Sequence, residues 1–427
     1  MPYRIAGIDV HKKMLAVAVA DVEVEAEWRF ERRQFGTSPS QLRALAEWLA
    51  EWEVEEVVME STAQYWRPVW ETLERQWQPT RRTRTQAGPT AGALHLAQAQ
   101  SNHGPRGRKK DFPDAERLVK RLVAQELTLS FVPDVTQRLW RTVTRRKYQL
   151  TCNRVQLRNR LECLLEEAHI KVSSLVSDLL GLSGRRMLRA VASGETDPAT
   201  VAALGSPRLH ATPDQLRDAL GACIDLDPVY RRLLAMTLDE LEVIDAHSRQ
   251  LDEELARLLR IHQDAVERLA AMPGLGVDSA QQIIAEVGPT ARTFATGKRL
   301  ASWVGACPGH DESAGVNHSH RSPNGNRQMR RLLNQAANAA VKTKGSIFEL
   351  MYRRLVVRLG HAQAIGAVAH RLCRLVWKIL HDGVAYEERG PAVTKQRAHR
   401  RAAKMIRELR NLGYRVEPVS SPASALA

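Results

Sequence analysis

The chain has 427 residues, enough for two or three domains with buried cores. Its 63 Lys and Arg outnumber 48 Asp and Glu, a formal charge of +15. That excess favours a polyanionic partner, because neutralised phosphates release condensed counterions, although charge alone also fits a merely basic protein. No apolar run approaches the roughly 18–20 residues that cross a bilayer, and residues 1–10 lack the pattern of a secretory signal. Five scattered cysteines (Cys152, Cys163, Cys223, Cys307 and Cys373) form no C-x-x-C pair, which argues against a structural zinc site and fits a reducing cytoplasm.

In chain order, Arg4 to Val10 (RIAGIDV) reads as a short buried strand with Asp9 near its end. Met14 to Val22 and Trp28 to Phe35 read as the second and third strands. Ser38 and Pro39 then open a helix in which Gln41 completes a capping box and Leu42, Leu45, Ala46 and Leu49 form the apolar stripe. Glu55 to Met59 is the next strand, delivering Glu60. Strands, a helix and a further strand predict a mixed α/β domain.

The stretch from Arg75 to Lys110 is rich in Arg, Thr, Gln, Gly and Pro and predicts a long basic loop. Helix resumes at Asp111 or Pro113 and runs to about Gln125. Two long helical patterns follow. Thr136 to Ile170 carries Leu139, Val143, Leu150, Leu157, Leu161, Leu164 and Leu165 on one face. Val229 to His262 carries Leu233, Leu241, Ile244, Leu251, Leu255 and Leu258. Such stripes predict pairing as an antiparallel coiled coil, or across a dimer. Between them, Gly181, Gly184, Pro198, Pro207 and Pro213 predict shorter helices and loops.

Further on, Met272-Pro273-Gly274-Leu275-Gly276 makes a tight turn between two apolar helical stretches. Backbone N–H groups at Gly274 and Gly276 could receive a phosphate, and a plain packing corner is the alternative. Residues 301–315 are loop-rich. Arg321, Arg327, Arg330 and Arg331 lead into a helix, and another apolar helix spans Ala362 to Leu380. A basic helical pattern from Lys395 to Arg415 is either a nucleic-acid contact or a solvated end.

Four acids carry the first chemical constellation. Asp9 and Glu60 close strands that can be neighbours, and Asp111 and Asp114 are three apart at a helix start, so they share one face. Converging carboxylates repel each other unless cations compensate, and hard oxygen donors suit Mg²⁺ or Mn²⁺. Each acid alone is equally at home as a helix cap or in a surface ion pair. Arg108, Lys109 and Lys110, directly before Asp111, add phosphate-binding charge, as does Lys12 beside Asp9. The second constellation is the small-residue loop Asp311-Glu312-Ser313-Ala314-Gly315, where a hydroxyl can be approached closely. Ser313 has no Ser-His-Asp spacing around it, so a turn residue is the plain alternative to a nucleophile.

These residues resemble the DEDD transposases of the IS110 class of insertion sequences. Gly7-Ile8-Asp9-Val10-His11-Lys12 is similar to that family's opening, Met59-Glu60-Ser61-Thr62 to its second acidic motif, and Lys110-Asp111-Phe112-Pro113-Asp114 to its paired aspartates. Pro273-Gly274-Leu275-Gly276, Ala285-Glu286-Val287-Gly288, Leu300 to Gly305, Cys307-Pro308-Gly309, Glu312-Ser313-Ala314-Gly315 and Gly325-Asn326-Arg327 follow its C-terminal part in order. The resemblance runs from about residue 4 to residue 390.

The resemblance implies a RuvC-like, RNase H-fold α/β domain over residues 1–130 and an α-helical coiled-coil region over 131–265. A mainly α-helical transposase domain over 266–390 and a basic tail over 391–427 complete it. It implies that Asp9, Glu60, Asp111 and Asp114 hold Mg²⁺ (or Mn²⁺) and that Ser313 attacks DNA to form a phosphoserine. Lys12, Arg108, Lys109, Lys110, Gly274, Gly276, Arg321, Arg327 and Arg330 would bind nucleic acid. The implied partners are DNA at the element ends and target, an element-encoded guide RNA, and a second copy of the chain, dimers joining in a synaptic tetramer with shared active sites. No membrane is involved, and the bacterial cytoplasm and its nucleoid are the implied location. The residues leave open a Piv-type invertase, which would act at inverted flanking sites. They also leave open a RuvC-like nuclease, which would need the acids but not Ser313. The long basic stretch after Glu60 departs from the family pattern.

Overall fold

In a computed structural model, the residues described are 3–22, 28–60, 63–79, 93–102, 111–309, 312–313, 316–317, 322–388 and 395–416. They fall into two compact units, Met1–Asp134 and Val135–Ala427.

The first unit is built on a five-stranded sheet in the order β3-β2-β1-β4-β5. Strands β1 (Arg4–Val10), β2 (Met14–Asp21) and β3 (Phe30–Gly36) form an antiparallel meander. β4 (Glu56–Glu60) and β5 (Leu94–Ala97) run parallel to β1. A parallel neighbour requires a crossover, which α1 (Pro39–Glu51) and α2 (Trp66–Gln76) supply. Alternation sorts β1 between two faces. Ala6, Ile8 and Val10 enter the larger core with Leu42, Leu45 and Leu49 of α1 and Val69, Trp70 and Leu73 of α2. Ile5 and Gly7 face α3 (Asp111–Val123), whose Val119 packs on Ile5. Burial on both faces explains why β1 is apolar almost throughout. β3 is one edge strand, and its Glu31, Arg32, Arg33 and Gln34 are exposed, a charged edge that discourages pairing with another chain.

Two expectations need correction here. The stretch after Arg75 is not loop throughout: Leu94–Ala97 pairs with β4, because that strand's free edge and the pocket for Leu94 and Leu96 outweigh the weak local signal of four residues. The capping box at Ser38 does not form. Ser38 is the N-cap and Pro39 takes the first helical position, but the Gln41 amide oxygen accepts from Gly36 N at 3.4 Å, and the Ser38 and Ser40 hydroxyls pair with each other at 3.2 Å.

Among the described residues, the second unit is helical apart from one short hairpin. α4 (Val135–Glu167) is followed by α5 (Leu182–Ala192), α6 (Pro198–Ala203), α7 (Pro213–Ala219) and α8 (Pro228–Leu258). Pro198 and Pro213, which interrupt the periodic pattern, occupy first helical positions after the caps Asp197 and Thr212. α4 and α8 lie antiparallel. Arg154 pairs with Asp245 at 2.9 Å, and Lys147, seven residues back on α4, pairs with Asp252, seven residues forward on α8. Leu150, Leu157, Leu161 and Leu165 share a core with Leu234, Leu238, Leu241 and Ile244. Leu139 and Leu233, expected on these faces, are instead exposed at 49% and 42%. The stripes drift because a straight helix repeats every 3.6 residues, not every seven in two turns.

α9 (Gln263–Ala270), α10 (Val277–Val287) and α11 (Gly297–Val304) follow. The hairpin β6 (Glu312–Ser313) and β7 (Val316–Asn317) precedes α12 (Arg327–Ala340), α13 (Ile347–Asp382) and α14 (Lys395–Asn411). α13 is broken at Gly360, which has φ 75° and ψ 171°. The expected apolar helix from Ala362 is the part beyond that break. Among the described residues, no helix is long and apolar enough to cross a membrane.

Candidate active site

Three elements bring the four acids together. Ile8 is in register with Met59, so Asp9 and Glu60 follow side by side on adjacent parallel strands. α3 lies directly over β1 because Gly7 has no side chain: a Cβ there would stand 2.1 Å from the Ala115 carbonyl oxygen. That close approach sets the first turn of α3, with Asp111 and Asp114, above the end of β1. The glycine two residues before Asp9 is therefore part of how the site is built.

Asp9 is 7% exposed. Burial pushes its carboxyl above the ordinary value; His11 opposes the rise, and the charges of Asp114, Glu60 and Asp111 add to it. All four acids thus share one electrostatic environment. His11, on the turn between β1 and β2, places Nε2 3.1 Å from Asp9 Oδ2 and 3.3 Å from Asp111 Oδ1. One ligand atom from each of Asp9, His11 and Asp111 lies within 4.8 Å of the others, a spacing that one cation can span. Glu60 accepts from Asn102 Nδ2 at 2.9 Å, and Asp114 from Arg117 Nη1 at 2.8 Å. Mutual repulsion around a buried carboxylate, with mostly hard oxygen donors, fits a divalent cation.

His11, Asn102 and Arg117 are the residues that reading the sequence passed over. Arg117 was findable, since it follows Asp114 by one helical turn. His11 gives no sign of reaching Asp111, a hundred positions away. Asn102 lies in the stretch expected to be loop.

The remaining candidates are dispersed. The Lys12 side chain is exposed, and its backbone oxygen accepts from Thr37 Oγ1 at 3.0 Å. Arg108, Lys109, Lys110 and Arg321 lie outside the described residues. Ser313 has its backbone in β6, paired with Val316 of β7. Arg327 is exposed at the start of α12. Arg330 is half-buried, its guanidinium donating to Pro323 O at 2.8 Å, so at least part of its hydrogen-bonding capacity holds the chain itself. Gly274 is a packing contact: at φ 83°, its missing Cβ would stand 2.2 Å from Ala336 O on α12. Gly276 caps α10 and has open space where its Cβ would be.

A mixed sheet in this order, with carboxylates at the ends of β1 and β4 and on the helix above, is compatible with an RNase H-like nucleic-acid-processing domain. Residues 6–170 match a transposase family of the DEDD, IS110 kind, and residues 266–353 match the transposase IS116/IS110/IS902 family. The chain thus carries both domains by which this family of insertion-sequence transposases is recognised. It is 29% identical over 153 residues to the insertion element IS110 uncharacterized 43.6 kDa protein of Streptomyces coelicolor, covering 36% of this chain and 37% of that one. It is 29% identical over 159 residues to a protein of Pseudomonas aeruginosa named "Probable family 20 transposase", covering 36% and 46%. The insertion element IS900 uncharacterized 42 kDa protein of Mycobacterium paratuberculosis is 27% identical over 187 residues, covering 43% and 45%. The matches span less than half the length of each of these relatives.

Proposed function

We propose that the chain is a transposase that excises and inserts its own element by serine-mediated DNA strand exchange. The observation that carries this reading is the convergence of Asp9, Glu60, Asp111 and Asp114 on one end of the sheet, around a carboxyl that burial and its neighbours disfavour as an anion. These four acids would hold Mg²⁺ or Mn²⁺, which when bound supplies the positive charge that a scissile phosphate needs. His11 steadies Asp9 and Asp111, while Asn102 and Arg117 orient Glu60 and Asp114.

Ser313 acts as the nucleophile. Its Oγ forms a bond to phosphorus as one backbone P–O bond breaks, and the serine proton ends on the released sugar oxygen. One ester replaces another, so the strand can be rejoined when a second sugar hydroxyl displaces the serine. The working assembly would be dimers that join in a synaptic tetramer. The net charge of +15 and the basic segments support DNA as the substrate and a structured, element-encoded RNA as the guide.

The test uses the full chain, with any RNA that co-purifies, and a donor plasmid carrying the gene and its flanking DNA. Parent protein is expected to form a covalent protein–DNA adduct that survives denaturing electrophoresis, and Ser313→Ala to form none while still binding the plasmid. Adducts from Ser313→Ala would refute the nucleophile assignment. Cleavage without any adduct would favour hydrolysis by activated water.

A further inference from the structure

Ser313 lies on the segment that leaves the helical unit after α11 and returns at α12, and the two ends of that segment are fastened together. Asn326 N donates to Trp303 O at 3.1 Å. Gly325 is pressed against the departing strand of chain: a Cβ would stand 2.5 Å from Val304 O and 2.6 Å from Gly305 N. Gly305, at φ 73°, meets the returning chain in the same way, its missing Cβ 2.6 Å from Pro323 O. Arg330 donates to that same Pro323 oxygen, and His370 of α13 holds Ala306 O at 2.8 Å. Two facing glycines let the backbones approach closely enough to make a neck.

One side chain ties this neck to the interior. Asn326 Oδ1 accepts from Gln328 N and Met329 N, both at 3.0 Å, and so caps α12. Its Nδ2 donates to Glu286 Oε2 at 2.8 Å. Glu286, on α10, is 2% exposed. Arg145 of α4 grips its carboxylate with two hydrogen bonds, at 3.0 and 3.1 Å, and Arg141 Nε stands 3.3 Å from Oε2. Arg141 also donates to the carbonyls of Ala285 and Glu286, and Gln137 donates to that of Ala285. α4, α10 and the neck therefore meet on one carboxylate.

Helix packing alone does not call for this. Apolar side chains of similar volume hold helices together at least as well as a buried ion pair. What a fully hydrogen-bonded ion adds is a defined orientation, since each lone pair accepts from one direction only. The group so oriented is the amide of Asn326, the residue at which the Ser313 segment rejoins the unit.

We propose that Glu286 and Asn326 are positioning residues for Ser313, locking the neck so that the β6–β7 hairpin leaves the unit in one direction. This rests on the serine reading given above. Neither residue touches the reacting atoms; they act through the backbone at 304–306 and 323–326.

Asn326→Ser separates the two jobs of Asn326. Serine caps a helix about as well as asparagine, but it lacks the amide that reaches Glu286. With saturating donor plasmid, the rate of adduct formation is expected to fall at least about tenfold, while plasmid affinity stays within about threefold and the melting temperature is little changed. Amide hydrogen exchange over 304–306 and 324–326 is expected to rise, a readout independent of activity. Asn326→Asp keeps the capping oxygen but sets a second carboxylate against Glu286, and is expected to lower the rate further. An Asn326→Ser rate equal to the parent's, with unchanged exchange, would overturn the proposal. So would losses of affinity and melting temperature matching the loss of rate, because the neck would then be a general element of the fold. Ser313→Ala run alongside tells the two readings apart: adducts surviving that variant remove the serine assignment, whereas adducts lost there but normal in Asn326→Ser remove only the neck.

Discussion

In the first unit the four acids stand on strand ends and on the first turn of a helix, each set by the register of a buried sheet and by the contact of Gly7 with Ala115. In the second unit Ser313 stands in a hairpin of two-residue strands joined to the helices through a neck. The acids are held by burial on both sides of β1, and holding them there costs electrostatic energy. The segment that carries the hairpin is fastened at its two ends by polar contacts. A site proposed to gather cations profits from fixed, mutually repelling groups, because an arriving cation relieves that repulsion. Under the proposed reading, a nucleophile that must form and release a covalent bond needs its direction set.

The acid side of this contrast is open to attack first. If the four carboxylates work as one unit, Asp114→Ala is expected to lower excision of the element on the order of a thousandfold, counted as emptied donor sites by quantitative PCR. A loss under tenfold would mean that the acids do not share one task. Next in size is Gly7→Ala. Its methyl group would stand 2.1 Å from the Ala115 carbonyl oxygen and 3.0 Å from Val119 Cγ2, so the sheet unit is expected to lose about 3 kcal/mol in urea unfolding. The transition of the helical unit should stay where it was, and a shift in both would erase the distinction between them.

The smallest effect carries the clearest sign. Asp9 binds its proton more tightly in the folded protein than in the unfolded chain. Folding therefore gains from the protonated form at low pH, and that gain is lost as pH rises from the ordinary value of 3.8 through the raised one. Asp9→Asn mimics the protonated form. Without divalent cations it is expected to melt about 2–4 °C above the parent at pH 7 and level with it below pH 3.8. Millimolar Mg²⁺ should reverse the order, since the parent gains more from binding. A parent that melts higher in chelator would show that the cluster carries no such strain.

Much of this was readable in advance where the signal is local. β1 and β2 follow from apolar runs ending in charged residues, and Asp111 with Asp114 from helical spacing at a helix start. β5 was not readable, because Leu94-His95-Leu96-Ala97 is too short to show alternation and becomes a strand only through the waiting edge of β4. Gly274 invited a phosphate reading, because sequence shows that a glycine is needed but not whether a ligand or another helix comes close. His11 and Glu286 were legible as members of motifs but not as contacts. The partners of His11 and Glu286 include Asp111 and Arg145, remote in sequence, and no periodicity spans such gaps.

α4 takes part in both halves of the helical unit. Near its start, Gln137, Arg141 and Arg145 grip α10 beside the neck; towards its end, Leu157, Leu161 and Leu165 lie in the core shared with α5 and α8. From Arg145 to Leu165 an unbroken helix advances about 30 Å, at 1.5 Å per residue. That is the length of about nine base pairs stacked 3.4 Å apart. A deletion of one turn within it would draw its two ends about 5 Å closer together.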